Sequence, residues 1–272
     1  MKRDAFTRRS FVMIGGVLLA GVLAGPMDRA FSQSASADPA LIEDLVAANR
    51  ILAQLEIVDG YGHVSVRHDK APNRYFIARS VAPELVTATD ILQLDLDSRP
   101  VDGREPRMYL ERFIHGEIYK ARPDVRAVVH HHAPSIIPFG ASSVQLRALY
   151  HMAAFIGTGV PIFDIRKVAG DTDMLVRTPE LGAELARALG GKPAVLMRGH
   201  GAVVVGDSLA QAVGRGYYLQ MNAKLQAQAM ALEGEVFYLN AGEAAKAETY
   251  AAMSVPGSCG SARRSQSRAR VR

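Results

Sequence analysis

Three consecutive histidines, His130, His131 and His132, close the apolar run Ala127-Val128-Val129. Ala127–His132 has the composition of a β-strand, where successive side chains alternate between faces. His130 and His132 then project to one side and His131 to the other. Two parallel imidazoles on one strand face can share a divalent ion. His200 lies in Arg198-Gly199-His200-Gly201, between two apolar runs, where glycine permits a tight turn beside a site. Glu111, nineteen residues before His130, adds a carboxylate at a helix start. Each residue also has an ordinary explanation. A histidine in a turn is commonly structural, a glutamate at a helix start complements the helix dipole, and His-x-His recurs by chance. Spacing alone leaves a metal site and a packed core both open. His115, four residues after Glu111, shares its helix face, either orienting the carboxylate or packing under a sheet.

The surrounding periodicity shows what would position these groups. Asp38-Pro39 is a helix start, and Leu41, Leu45, Ile51, Leu52 and Leu55 form a stripe that Asp59-Gly60 closes. Strands are expected over His63–Arg67, Tyr75–Ala78 and Ile91–Asp97. Tyr109–Ala121 reads as a helix stopped by Arg122-Pro123-Asp124. Pro179–Leu189 reads as a second helix, Ala194–Met197 and Ala202–Val205 as neighbouring strands, and Ser208–Leu232 as a long helix. There is no internal repeat and no linker between residues 38 and 250. The pattern predicts one α/β domain with helices packed on a central sheet.

The chain has 272 residues and a net charge of +5, with 49% hydrophobic residues, which excludes a disordered or collagen-like polymer. The charge sits at the ends. Residues 38–255 carry 22 basic and 25 acidic side chains, so the body is mildly acidic and lacks a surplus for nucleic acid. Residues 1–37 read as an export signal: a basic start with Arg8-Arg9 before Phe11, an apolar run from Val12 to Ala24, and the small residues Ala35-Ser36-Ala37. The adjacent arginines resemble a twin-arginine signal, which exports folded proteins, so a periplasmic protein is expected, with no stable membrane insertion after cleavage. An uncleaved anchor is the alternative. Residues 251–272 read as a disordered basic tail holding the only cysteine, Cys259, which excludes an intramolecular disulfide and a thiolate metal cluster. No glycine-rich segment has the P-loop lysine or the dinucleotide spacing.

Glu111-Arg112-Phe113-Ile114-His115, Tyr119, Arg122-Pro123-Asp124-Val125 and Ala127-Val128-Val129-His130-His131-His132 together resemble the core signature of the class II aldolase/adducin family. Gly62-His63-Val64-Ser65-Val66-Arg67 resembles its upstream segment, and Leu196 through His200-Gly201 its later His-Gly element. The resemblance runs in order from about residue 41 to 235. It implies a single three-layer α/β/α domain with a mostly antiparallel central sheet, and a homotetramer with active sites at subunit boundaries. It implies Glu111, His130, His132 and His200 as ligands of one divalent ion. Nitrogen and oxygen donors without thiolate favour Zn²⁺, with Mn²⁺, Fe²⁺ or Co²⁺ as alternatives. Such an ion acts as a Lewis acid toward the enolate left when a carbon–carbon bond beside a carbonyl breaks. Glu111 is implied as the group that moves a proton. In adducin-type relatives the ligands are lost and the domain is a binding module.

Departures from the aldolase pattern bear on the substrate. Where sugar-phosphate aldolases of this family hold phosphate with Asn, Thr-Gly and Ser-Ser, this chain has His63, Arg79-Ser80 and Tyr109-Leu110. Leu110 and Tyr109 cannot wrap a phosphate with backbone N–H groups, whereas Arg79 offers a planar fork suited to a carboxylate. A tyrosine that donates a proton in some aldolases falls at His151, whose imidazole can reprotonate a carbon. The alternative for His151 is a surface or interface residue. Arg79 through Thr87, Tyr109 through Arg112 and Tyr150-His151-Met152 are similar to the branch of hydroxy-carboxy-muconic semialdehyde and dihydroxyaromatic-acid decarboxylases. That similarity implies a metal-dependent decarboxylase for a small carboxylate substrate, with His63, Arg79, Ser80 and Tyr109 binding it. A retro-aldolase on an unphosphorylated substrate, a non-haem iron oxygenase and an adducin-like interaction domain are the other readings.

Overall fold

Proline at the first turn and a capping oxygen start α1 (Pro39–Gln54): the Asp38 carboxylate accepts the Ala40 N–H at 2.9 Å. The computed structural model describes residues 37–254. The expected export signal, apart from its last residue Ala37, and Cys259 lie outside them, as does all of the expected tail beyond Ser254. After α1 come β1 (His63–Arg67), β2 (Arg74–Ala78) and β3 (Ile91–Asp95), then α2 (Phe113–Ala121) and β4 (Ala127–His131). Two one-turn helices, α3 (Ile137–Gly140) and α4 (Arg166–Ala169), flank the two-residue strand β5 (Ile162–Phe163). The chain continues through α5 (Pro179–Leu189), β6 (Ala194–Met197), β7 (Gly201–Gly206), α6 (Leu209–Met230) and α7 (Ala241–Ser254). Hydroxyl caps start the later helices, Thr178 accepting from Leu181 and Ser208 from Gln211.

The seven strands form one sheet in the order β3-β2-β1-β4-β7-β6-β5. Every pairing is antiparallel except β5 with β6. Alternation divides the strands between two cores. Val64, Val66, Phe76, Ala127, Val129, Ala202 and Val204 face α1 and α6. Tyr75, Ile77, Val128, Val195, Val203 and Val205 face α2 and α5. The result is the expected three-layer α/β/α domain with a mostly antiparallel sheet. Among the described residues no helix is long and apolar enough to cross a membrane.

The differences from the expected elements are local. The helix expected from Tyr109 begins as a single 3-10 turn, Leu110–Arg112, because Glu111 sits at φ −89°, ψ 17°, and the α-helix proper starts at Phe113. The strand expected to reach His132 ends at His131. The helix α7 continues past the expected domain edge at residue 250. The weak alternation of Ile162–Phe163 gave no signal for β5.

Candidate metal centre

Alternation along β4 sends His130 to the sheet face of Val128, toward α2 and α5, and the chain leaving the strand carries His132 to the same place. The turn between β6 and β7 brings in His200. Its reversal depends on Gly199 at φ +64°, backbone that an L side chain rarely adopts. The 3-10 turn before α2 aims Glu111 at the same point. One ligand atom from each of Glu111, His130, His132 and His200 lies within 4.8 Å of all the others. His132 Nε2 is 3.0 Å from both His130 Nε2 and His200 Nε2. Glu111 Oε2 is 3.3 Å from His130 Nε2 and 3.4 Å from His200 Nε2.

The outward-facing atoms settle what the inward ones present. His130 Nδ1 donates to the Ala202 carbonyl at 3.2 Å, and His200 Nδ1 to the Met174 carbonyl at 3.0 Å. His132 Nδ1 donates to both Asp59 oxygens at 3.1 Å. Each neutral imidazole with its hydrogen on Nδ1 turns a bare Nε2 lone pair inward. The Val176 N–H donates to Glu111 Oε1 at 2.9 Å, which leaves Oε2 for the centre. Four acceptor atoms crowded together without hydrogens between them repel unless a cation sits among them. Four-coordinate zinc with ligands near 2.0–2.1 Å has ligand–ligand edges of about 3.3 Å, close to the spacings here. The donor set fits a divalent ion.

Protons compete with an ion for these same atoms. Burial pushes the Glu111 carboxyl up, but the His130 and His200 imidazoles more than offset this and hold it well below the usual carboxylate range. Burial and the neighbouring His130 lower His132 to about 4. Burial also lowers His200, yet its hydrogen bond and attraction to Glu111 leave it above the usual imidazole value.

A cavity of about 670 Å³ opens on the cluster, with Glu111, His132 and His200 in its wall. His63, Ser80 and Tyr109, the expected substrate contacts, are among the residues that line it. Tyr109 offers its ring, since its hydroxyl donates to the Val81 carbonyl and burial pushes that hydroxyl up to about 12. Two expected residues stand elsewhere. Arg79 is not in the cavity wall: its Nε donates to Asp90 at 2.7 Å, because Asp90 closes a capping box with Thr87 beside the strand that carries Arg79. Arg107 lines the cavity instead, with no ion-pair partner among the described residues. His151 is exposed and does not line the cavity within this chain. It opens the 3-10 turn His151–Ile156, whose Ala153, Phe155 and Ile156 pack in the α1/α6 core, on the other sheet face.

Sequence reasoning also missed Asp59, the Met174 carbonyl and the Val176 N–H. Asp59 reads as a helix stop, and backbone groups carry no residue-type signal. Met174 does stand out in the structure, at φ +65° in the segment that covers the cluster.

The fold is an α/β sandwich with a three-histidine, one-carboxylate cluster at a strand end, able to hold a metal ion, and comparison places such a chain in a known family. The Class II Aldolase and Adducin N-terminal domain matches residues 43–227. The chain is 37% identical over 204 residues to decarboxylase tropJ of Talaromyces stipitatus, covering 70% of this chain and 77% of that protein. It is 32% identical over 186 residues to a 3,4-dihydroxyphthalate decarboxylase of Arthrobacter keyseri, covering 63% and 71% respectively. The solved L-fuculose 1-phosphate aldolase of Glaciozyma antarctica superposes with a TM-score of 0.64 at 25% identity, over 76% of this chain and 79% of that one. The chain belongs to the class II aldolase/adducin family, in its decarboxylase branch, and is an enzyme of the lyase type.

Proposed function

We propose that the chain is a divalent-metal-dependent carbon–carbon lyase that decarboxylates a small oxo- or hydroxyaromatic acid. The observation that carries this reading is the convergence of Glu111, His130, His132 and His200, three of them in the wall of a cavity that also presents Arg107, a guanidinium with no ion-pair partner among the described residues. Relatives named as decarboxylases support the leaving group, including one named for 3,4-dihydroxyphthalate. A divalent ion held by those four side chains, zinc first by donor chemistry, supplies a Lewis acid for negative charge growing on a substrate oxygen.

The chain's own groups do the rest. Arg107 grips a carboxylate as a bidentate fork, with His63 and Ser80 beside it. Tyr109 and Leu110 wall the cavity with apolar surface, which suits an aromatic ring better than a sugar phosphate. As the carbon–carboxylate bond breaks, its electron pair moves into the conjugated system and CO₂ leaves. A proton then returns to the same carbon. In a homotetramer, His151 of a neighbouring copy would deliver it, since His151 is exposed and lies apart from its own chain's cavity. Exported through its Arg8-Arg9 signal, the folded protein would carry an ion acquired in the cytoplasm to the periplasm. Replacing both arginines with lysine should retain the protein inside the cell, and unchanged export would refute that route.

The test of the activity is CO₂ release from carboxyl-labelled hydroxyaromatic acids, 3,4-dihydroxyphthalate among them, by zinc-loaded protein. Release should disappear on chelation and return with added zinc. Aldehyde formation from hydroxy-ketones, with no CO₂ from any acid, would make the enzyme a retro-aldolase.

A further inference from the structure

His63 and Ser65 lie two apart on β1 and so share the sheet face toward α2, while His115 and Tyr119 lie four apart on α2 and share the helix face toward the sheet. The two pairs interlock into a single file of hydrogen bonds. His63 Nδ1 is 2.6 Å from His115 Nε2, His115 Nδ1 is 2.6 Å from Ser65 Oγ, and Ser65 Oγ is 2.8 Å from the Tyr119 hydroxyl. All four residues are at most 1% exposed. Only His63 reaches the cavity, at one end of the file, and Tyr119 ends it in the core. Cross-strand pairing sets His63 directly beside His130.

Hydrogens can fill this file in two ways, since two ring nitrogens at such a separation hold a single hydrogen between them. In one direction Tyr119 donates to Ser65, Ser65 donates to His115 Nδ1, and His115 Nε2–H donates to His63 Nδ1. Every donor and acceptor inside the file is then paired, and His63 carries its own hydrogen on Nε2, toward the cavity. In the other direction His63 donates inward and His115 Nδ1–H donates to Ser65, which leaves one hydroxyl hydrogen, that of Ser65 or of Tyr119, with no acceptor among the described residues. A buried unpaired donor is costly enough to bias the choice roughly ten- to a hundredfold toward the first direction.

We propose that His63 faces the cavity as a fixed Nε2–H donor, set by the buried file through His115, Ser65 and Tyr119, and that this donor receives an oxygen of the acidic substrate. The second half rests on the decarboxylase reading; the tautomer does not. His115, Ser65 and Tyr119 are positioning residues, acting on substrate only through His63. The asparagine that sugar-phosphate relatives carry at this point can present its carbonyl or its amide by rotation, whereas a histidine locked in this way can only donate.

Solid-state ¹⁵N spectra of the full-length, zinc-loaded, histidine-labelled protein test this directly. His63 and His115 should each show a bare Nδ1 and a protonated Nε2. A protonated Nδ1 on His63, with or without a second proton, overturns the proposal. Tyr119→Phe removes only the outermost donor and should leave both patterns intact; a switch of tautomer would overturn it. Ser65→Ala leaves a buried unpaired group in either direction, so the patterns should mix, with KM for the acid raised roughly tenfold at unchanged zinc content. An unmixed pattern in Ser65→Ala also counts against the file, and should that variant not fold, the first two spectra still decide. A single Nε2–H pattern in a protein that releases no CO₂ sinks the decarboxylase reading and spares the donor. Nδ1–H on His63 in an active decarboxylase does the reverse.

Discussion

Glu111 divides its carboxylate between two tasks, one oxygen fixed by the Val176 N–H and the other turned to the three imidazoles. Removing a ligand should therefore abolish metal binding while sparing the fold: His132→Ala is expected to purify without zinc and lose at least a hundredfold in activity, with an unchanged circular dichroism spectrum. Asp59→Asn keeps the shape but weakens the hold on His132, and zinc affinity should fall about 10–100-fold in a competition titration. The direction of the His200 shift gives a pH dependence. In the metal-free protein Glu111 keeps a proton on His200 to higher pH than usual, and an incoming ion must expel it. Zinc uptake should thus release about one proton below that raised value and none well above it, and affinity should fall as pH drops through it. Glu111 and His132, both lowered, contribute nothing there. Calorimetry in buffers of different ionisation enthalpy would show this, and pH-independent proton release would contradict it. Arginine roles separate as cleanly. Arg107→Ala should raise KM for the acid at least tenfold, while Arg79→Ala, which breaks a half-exposed ion pair with Asp90, should leave KM nearly unchanged.

The long helix α6 illustrates how an element can bind a neighbour that has no regular structure. Asn222, fully buried, accepts from the Leu149 N–H and donates to the Arg147 carbonyl, both at 2.8 Å. Gln226 does the same for Arg147 N–H and Gln145 O, at 2.9 and 2.8 Å. Two side-chain amides thus act as a strand edge for the extended segment 145–149, which leads directly into Tyr150 and His151. Asn222→Ala would leave two main-chain groups unpaired and should cost about 2–4 kcal/mol in denaturant unfolding. It should also disturb His151 before it disturbs the metal cluster on the other face of the sheet. A variant with wild-type stability would show that water can replace the amide.

At the level of the assembled protein, the cluster is complete within one chain but the proton donor expected of it is not beside it. His151 belongs to the α1/α6 layer and the ligands to the α2/α5 side of the sheet. If subunit contact joins them, inactive His151→Ala and inactive His130→Ala chains, co-expressed, should recover activity in mixed oligomers, because some sites then combine an intact cluster with an intact His151. Light scattering should give a tetramer for the same samples. Full activity of His151→Ala alone would remove that residue from the chemistry.

Side-chain type and short-range period carried a great deal of this. The alternation in Ala127–His132, the stripe and capped start of α1 and the helical run of α5 were legible because each is a property of adjacent residues, and Glu111, His130, His132 and His200 were legible because the family resemblance lay in their order along the chain. Arg79 and Arg107 could not be told apart in that way. Both are arginines near the same motif, and only the packing of Asp90 into its capping turn occupies one and leaves the other facing the cavity. The same holds for the Met174 carbonyl, the Val176 N–H and the Ser65–Tyr119 file. Main-chain groups are alike at every position, and a hydrogen-bond partner 26 to 65 residues away is chosen by how two layers settle against each other, a cooperative outcome that no local stretch of chain encodes.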